Sequence, residues 1–301
     1  MKKFLFLIIA FLIFNSCEKK SYKVDILVTI YPFKFILDEI VKDELKIDVL
    51  LPASVDPHTY ELVPSDLIKM QNAQLFIYGD KDLDGWASKF DVKNKIQFSD
   101  YLPDSLRMDI SKSLFIANKQ LHHHNHHHSH AHTGFDPHFW TDPVTVQGMV
   151  ENIVQMLSEF FPDKKNTFIK NAKLFKTKLS EIDSTIILKT NLIRNKNVFS
   201  SHPFYNYFFN RYKFNIVGFL EVSPGQALSP KEMKNIMKLV KENNVKAIFT
   251  NKQHSDKTTK ILAESVGIKY FDLDPIGGTN ELNDYFSILD HNLEIIEQAL
   301  K

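Results

Sequence analysis

From Val24 onward the chain alternates short apolar runs with loops and amphipathic helical stretches. It does so twice, on either side of a segment from Asp163 to about Thr190 that holds neither glycine nor proline. Such alternation builds mostly parallel sheets covered by helices, because one parallel strand reaches the next only through a crossover. Strands are expected at Val24–Ile30, Leu45–Leu51, Gln74–Gly79 and Lys95–Phe98 in the first half. In the second half they are expected at Lys196–Ser200, Phe214–Phe219, Val245–Thr250 and Ile268–Leu273. The fold class is therefore α/β, with two similar lobes.

The lobes need a joint. Pro143 opens a helical pattern that Pro162 ends. Beyond it, Phe168, Ala172, Phe175, Leu179, Ile182 and Ile186 recur every three or four residues. About 28 residues at about 1.5 Å each reach about 42 Å, more than one lobe requires. This stretch is expected to be a rigid strut touching both lobes. The chain accordingly divides into a first lobe over 22–142, connecting helices over 143–190 with the long one at 163–190, and a second lobe over 191–301.

With 301 residues, 44% of them hydrophobic, two cores can be filled. The 37 basic and 36 acidic residues are interspersed and leave a net charge of +1. That balance offers no basic stripe, so no nucleic-acid partner is expected.

The first seventeen residues set two lysines before an apolar run from Phe4 to Phe14. This is the layout of a secretory signal, too short for a membrane span of about 20 residues. The single cysteine, Cys17, stands where the run ends, after Ser16 and before a polar tether. The segment resembles a bacterial lipoprotein signal, which implies lipid on Cys17 and an extracytoplasmic protein anchored to a cell-envelope membrane, periplasmic or at the cell surface. One cysteine forms no internal disulfide.

Metal ligands and other site residues in open α/β sheets gather beyond the carboxyl ends of strands. His58 follows the second expected strand, His202 the fifth and Asp274 the eighth, while His138 precedes the helix that leaves the first lobe. Two ligands from each lobe would meet in the cleft between them. Taken singly, each has an ordinary explanation: a surface or hydrogen-bonded histidine, or a simple turn at Asp274-Pro275.

Four motifs occur in order: Pro57-His58-Thr59-Tyr60-Glu61 with Pro64-Ser65-Asp66; Asp136-Pro137-His138-Phe139-Trp140 with Asp142-Pro143; His202-Pro203-Phe204 with Tyr207-Phe208; and Asp272-Leu273-Asp274-Pro275. By these the chain from about Lys23 to Lys301 resembles the metal-binding solute-binding proteins of ABC transporters. That group includes zinc and manganese uptake proteins and related surface adhesins. The resemblance implies a metal gripped between the lobes by His58 and His138 from the first and His202 and Asp274 from the second. It also implies delivery of that metal to a membrane permease, with a monomeric protein and no catalysis. Manganese-type members usually carry glutamate where His202 stands. Three imidazoles and one carboxylate suit Zn²⁺, with Mn²⁺ the alternative cargo, since manganese prefers oxygen donors. Leu62 and Asn251 depart from the family pattern, where proline and an acidic residue are common.

Eight further histidines, His122, His123, His124, His126, His127, His128, His130 and His132, crowd a stretch without apolar periodicity. The tract from 121 to 133 is similar to the histidine-rich loops of zinc-uptake members. Weak, multiple metal sites are expected there, because each binding event must order the chain. A low-complexity loop without a role is the other reading. His254 is expected to be a solvent-exposed residue before a helix. Two rival functions remain open, a zinc hydrolase and a surface adhesin; the first lacks an H-E-x-x-H motif, and a fourth protein ligand would close its open position.

Overall fold

The computed structural model describes residues 24–109, 134–220, 228–253 and 257–301. The expected signal segment with Cys17, the histidine tract and His254 lie outside the described residues.

The first lobe comprises β1 (Val24–Val28), α1 (Tyr31–Val41), β2 (Ile47–Val49), α2 (Pro64–Asn72), β3 (Ala73–Tyr78) and β4 (Lys95–Gln97). All of its strand pairs are parallel, in the order β2-β1-β3-β4. In the central strand Ile26, Leu27 and Val28 are consecutive and all fully buried. A strand covered on both faces has no polar side to alternate with.

The connection is α3 (Pro143–Phe160) and α4 (Lys165–Asn191). The second lobe follows with β5 (Asn197–Ser200), α5 (Asn206–Arg211), β6 (Asn215–Phe219), α6 (Pro230–Glu242), β7 (Ala247–Asn251), α7 (Lys257–Val266), β8 (Lys269–Leu273) and α8 (Tyr285–Leu300). Its strands are again all parallel, in the order β6-β5-β7-β8. The strand order of the first lobe is thus repeated. In each lobe the chain moves to one side of the first strand and then crosses to the other, so the crevices open beside β1 and β3, and beside β5 and β7.

The 27 residues of α4 reach about 40 Å. Its start falls at Lys165, because Pro162–Lys164 form a 3-10 turn after the break at Phe161. The apolar stripe from Phe168 to Ile186 is buried as its spacing implies. At one end the helix is fastened to the first lobe, where Asn171 donates to the Ile40 carbonyl and Lys178 pairs with Glu39. Toward the other end Asp183 accepts from Arg211 and Tyr212 of the second lobe, and Lys189 pairs with Glu297.

The lobes also meet directly. Trp140 Nε1 donates to the Pro275 carbonyl at 2.9 Å, and the Tyr285 hydroxyl donates to the Trp140 carbonyl at 2.7 Å. Gly278 has φ +83°, and a Cβ built there would lie 2.5 Å from the Tyr31 ring. One apolar core runs through both lobes and the connecting helices, while a smaller core lies under α6 and α7 on the second sheet.

Candidate metal centre

His58 sits in the loop between β2 and α2, which its neighbours make rigid. Asp56 Oδ1 accepts the His58 backbone N–H at 2.9 Å, Trp86 Nε1 donates to the Pro57 carbonyl at 2.9 Å, and Tyr60 donates its hydroxyl to Asp66 at 2.6 Å. His138 follows the turn at Asp136-Pro137. Just beyond it, the Asp142 side chain accepts from the amides of Val144 and Thr145 and starts α3. Helix α3 therefore begins five residues after His138, from a fixed N-cap at Asp142. His202 lies two residues beyond the end of β5, beside the crevice of the second sheet, and its carbonyl accepts from Ser200 Oγ at 2.8 Å.

The three imidazoles converge. One ligand atom from each of His58, His138 and His202 lies within 4.8 Å of the other two. The His202 ring stands nearly edge-on to both others, with centroids 5.2 Å from His58 and 5.5 Å from His138.

Their tautomers follow from their partners. His58 Nδ1 lies 3.0 Å from the Asp82 carbonyl, which only accepts, so that nitrogen carries the proton. His138 Nδ1 lies 2.7 Å from Asp136 Oδ1, and Asp136 is fully buried, so the same holds there. Both rings therefore turn their Nε2 atoms toward the same point, where the two lie 3.2 Å apart. Burial, and then the neighbouring His138, lower the His58 pKa to about 4. Ring nitrogens aimed at one point can hold a cation.

Asp274, just past β8, is nearly fully buried on the rim of this cleft, but it is not among the atoms within 4.8 Å. Its Oδ1 accepts from the Ile276 amide at 3.1 Å, the Gly277 amide at 2.9 Å and Gln253 Nε2 at 2.8 Å. Its Oδ2 lies 3.5 Å from Lys252 Nζ. The structure brings three of the four expected ligands together and holds the fourth on other partners.

Sequence reasoning passed over the residues that hold the ligands. Asn292 of α8 donates to the Asp274 carbonyl and accepts its amide, both at 2.8 Å. A buried asparagine among Leu289, Leu293 and Ile296 interrupts an apolar stripe, and that interruption was the available signal. Gln253, which also reaches the Ala53 carbonyl at 3.2 Å, and the Asp82 carbonyl gave none.

The chain is 29% identical over 291 residues to the high-affinity zinc uptake system protein ZnuA of Bacillus subtilis (strain 168), covering 95% of this chain and 90% of that one. It is 27% identical over 301 residues to the zinc-binding lipoprotein AdcA of Streptococcus pneumoniae (strain ATCC BAA-255 / R6), covering 96% of this chain but only 58% of that longer relative. A mutant structure of the laminin-binding adhesin Lmb from Streptococcus agalactiae has the same fold. Its TM-score is 0.76 at 26% identity, over 92% of this chain and 100% of that one. The family model ZnuA, described as zinc-uptake complex component A, periplasmic, matches residues 26–299, and the chain belongs to that family.

Proposed function

We propose that this protein captures Zn²⁺ outside the cytoplasm and delivers it to an ABC-type permease, with no bond made or broken in the cargo. His58, His138 and His202 supply three nitrogens, and Asp274 supplies the fourth donor through Oδ2 once loop and side-chain shifts bring it in. The observation that carries this reading is the pair of Nε2 atoms at 3.2 Å with a third imidazole edge-on beside them. A nitrogen-rich set favours zinc over manganese. The single chain is read as the working unit, with the first lobe over 22–142, the connecting helices over 143–190 and the second lobe over 191–301.

Cargo loading fits a nearly preformed site. The first-lobe ligands are held by backbone and carboxylate partners before metal arrives, so little ordering cost remains. With α4 fastened to both lobes, loading requires loop and side-chain shifts in place of a wide hinge. The tract from His122 to His132 gathers zinc weakly. Lipid on Cys17 keeps the protein near its permease, and the AdcA relative is named a lipoprotein. Among the described residues no helix is long and apolar enough to cross a membrane.

The likeness to Lmb supports a second reading, adhesion to a surface ligand. Adhesion gives the buried histidine cluster no part to play. Metal-free protein titrated with Zn²⁺ and Mn²⁺ in competition tests the proposal. One tight zinc per chain that Mn²⁺ does not displace is expected; a chain without such a site overturns it.

A further inference from the structure

The Asp274 carboxylate already has a cation. Oδ1 is saturated by three N–H donors, the amides of Ile276 and Gly277 and the side chain of Gln253, which together fix the rotation of the carboxylate. Gln253 also reaches across the cleft to the Ala53 carbonyl, in the loop that carries His58. Oδ2 is the oxygen left to offer, and the Lys252 ammonium lies 3.5 Å from it. The two partners differ sharply in exposure, 2% for the Asp274 side chain against 57% for that of Lys252. The carboxylate is fixed, while the lysine can swing on a flexible stem into water at little cost.

Resting on the zinc reading above, we propose that Lys252 is a displaceable counter-ion that competes with zinc for Asp274 Oδ2. A zinc–oxygen bond of about 2.0–2.2 Å cannot share this atom with an ammonium, because the two cations repel at such separations. Zinc entry therefore turns Lys252 outward, and its return compensates the buried carboxylate as zinc leaves. The lysine weakens retention of the cargo and speeds its release, which suits a protein that must surrender its metal to a permease. Gln253 acts as a positioning residue that keeps Oδ2 presented in both states.

The test compares the full chain with Lys252→Met, Lys252→Arg, Asp274→Asn and the double variant Lys252→Met with Asp274→Asn. Zinc affinity is read by chelator competition and release by transfer to excess chelator. Lys252→Met is expected to tighten binding about fivefold and to slow release, as loss of a partly exposed charge pair implies. Lys252→Arg keeps the competing charge and should not tighten binding. In the Asp274→Asn background the gain from Lys252→Met should vanish. An unchanged affinity for Lys252→Met overturns the proposal, and so does a gain that persists without the Asp274 charge, which would reflect only distant repulsion. A parent chain that binds no zinc overturns the reading of the site itself.

Discussion

His58 and His138 present their Nε2 atoms to each other at 3.2 Å, each ring anchored through its other nitrogen. A cation placed at that point would take a nitrogen from each ring. The anchors are what maintain the arrangement, and the first prediction concerns them.

Asp136 accepts both the ring N–H and the backbone N–H of His138, and it is fully buried. Asp136→Asn preserves an acceptor but removes the charge that makes the imidazole a better donor. Outer partners of this kind change metal affinity by about 10- to 100-fold. Zinc affinity is expected to fall by about tenfold, measured by chelator competition, while the far-ultraviolet spectrum stays unchanged. An unaltered affinity would assign Asp136 to the turn alone.

Acid should weaken the metal-free fold through His58. Its folded pKa of about 4 lies below the usual value near 6.5, because burial opposes the charged ring. Between those values the unfolded chain binds a proton that the folded chain refuses, so stability is full above pH 6.5 and is lost as pH falls toward 4. Buried Asp84, whose pKa is raised to about 6 by burial, has the opposite sign and gains stability over a similar range. The His58 contribution must therefore be read by difference. Denaturation of the parent and of His58→Gln at pH 7 and pH 4.5 should show the parent losing ground to the variant in acid. Equal losses would place the His58 pKa at an ordinary value.

How much of this was legible in the sequence depended on range. The eight strands and the stripe from Phe168 to Ile186 follow from local periodicity, and the structure puts them where the pattern does. The order of strands within each sheet is a non-local property that periodicity does not carry. Motifs pointed to His58, His138 and His202, which do converge. The present partners of Asp274 were hidden for the same reason as the strand order. Its hydrogen bonds to Asn292 and Gln253 join residues 18 and 21 positions away, and Gln253 reaches Ala53 over 200.

Gly278 tests how tightly the lobes are set. At φ +83° a side chain is strained, and a Cβ would fall 2.5 Å from the Tyr31 ring on the opposite lobe. The backbone strain costs roughly 1 kcal/mol and the overpacking roughly 1–3 kcal/mol. Gly278→Ala is therefore expected to destabilise the protein by about 2–4 kcal/mol in urea denaturation. Pairing it with Tyr31→Ala should return the packing part only. A neutral Gly278→Ala would mean that the lobes separate freely at this contact.

The remaining prediction separates His138 from the eight histidines that precede it. His138 stands between the Asp136-Pro137 turn and Trp140, whose indole donates to Pro275 and whose carbonyl accepts from Tyr285. The ring is held before metal arrives, with its proton assigned to Nδ1 by Asp136. Nothing in the sequence around His122 to His132 supplies comparable restraint, so each zinc bound there must order its own stretch of chain. Deleting residues 121–133 should leave one tight zinc per chain with nearly unchanged affinity and remove weaker equivalents seen by calorimetry. His138→Ala should do the reverse, abolishing the tight site and sparing the weak ones. Slower loading from dilute zinc is the expected cost of the deletion, on the proposal that the tract gathers metal for the site. A deletion that destroyed tight binding while His138→Ala preserved it would move the metal centre from the cleft to the tract.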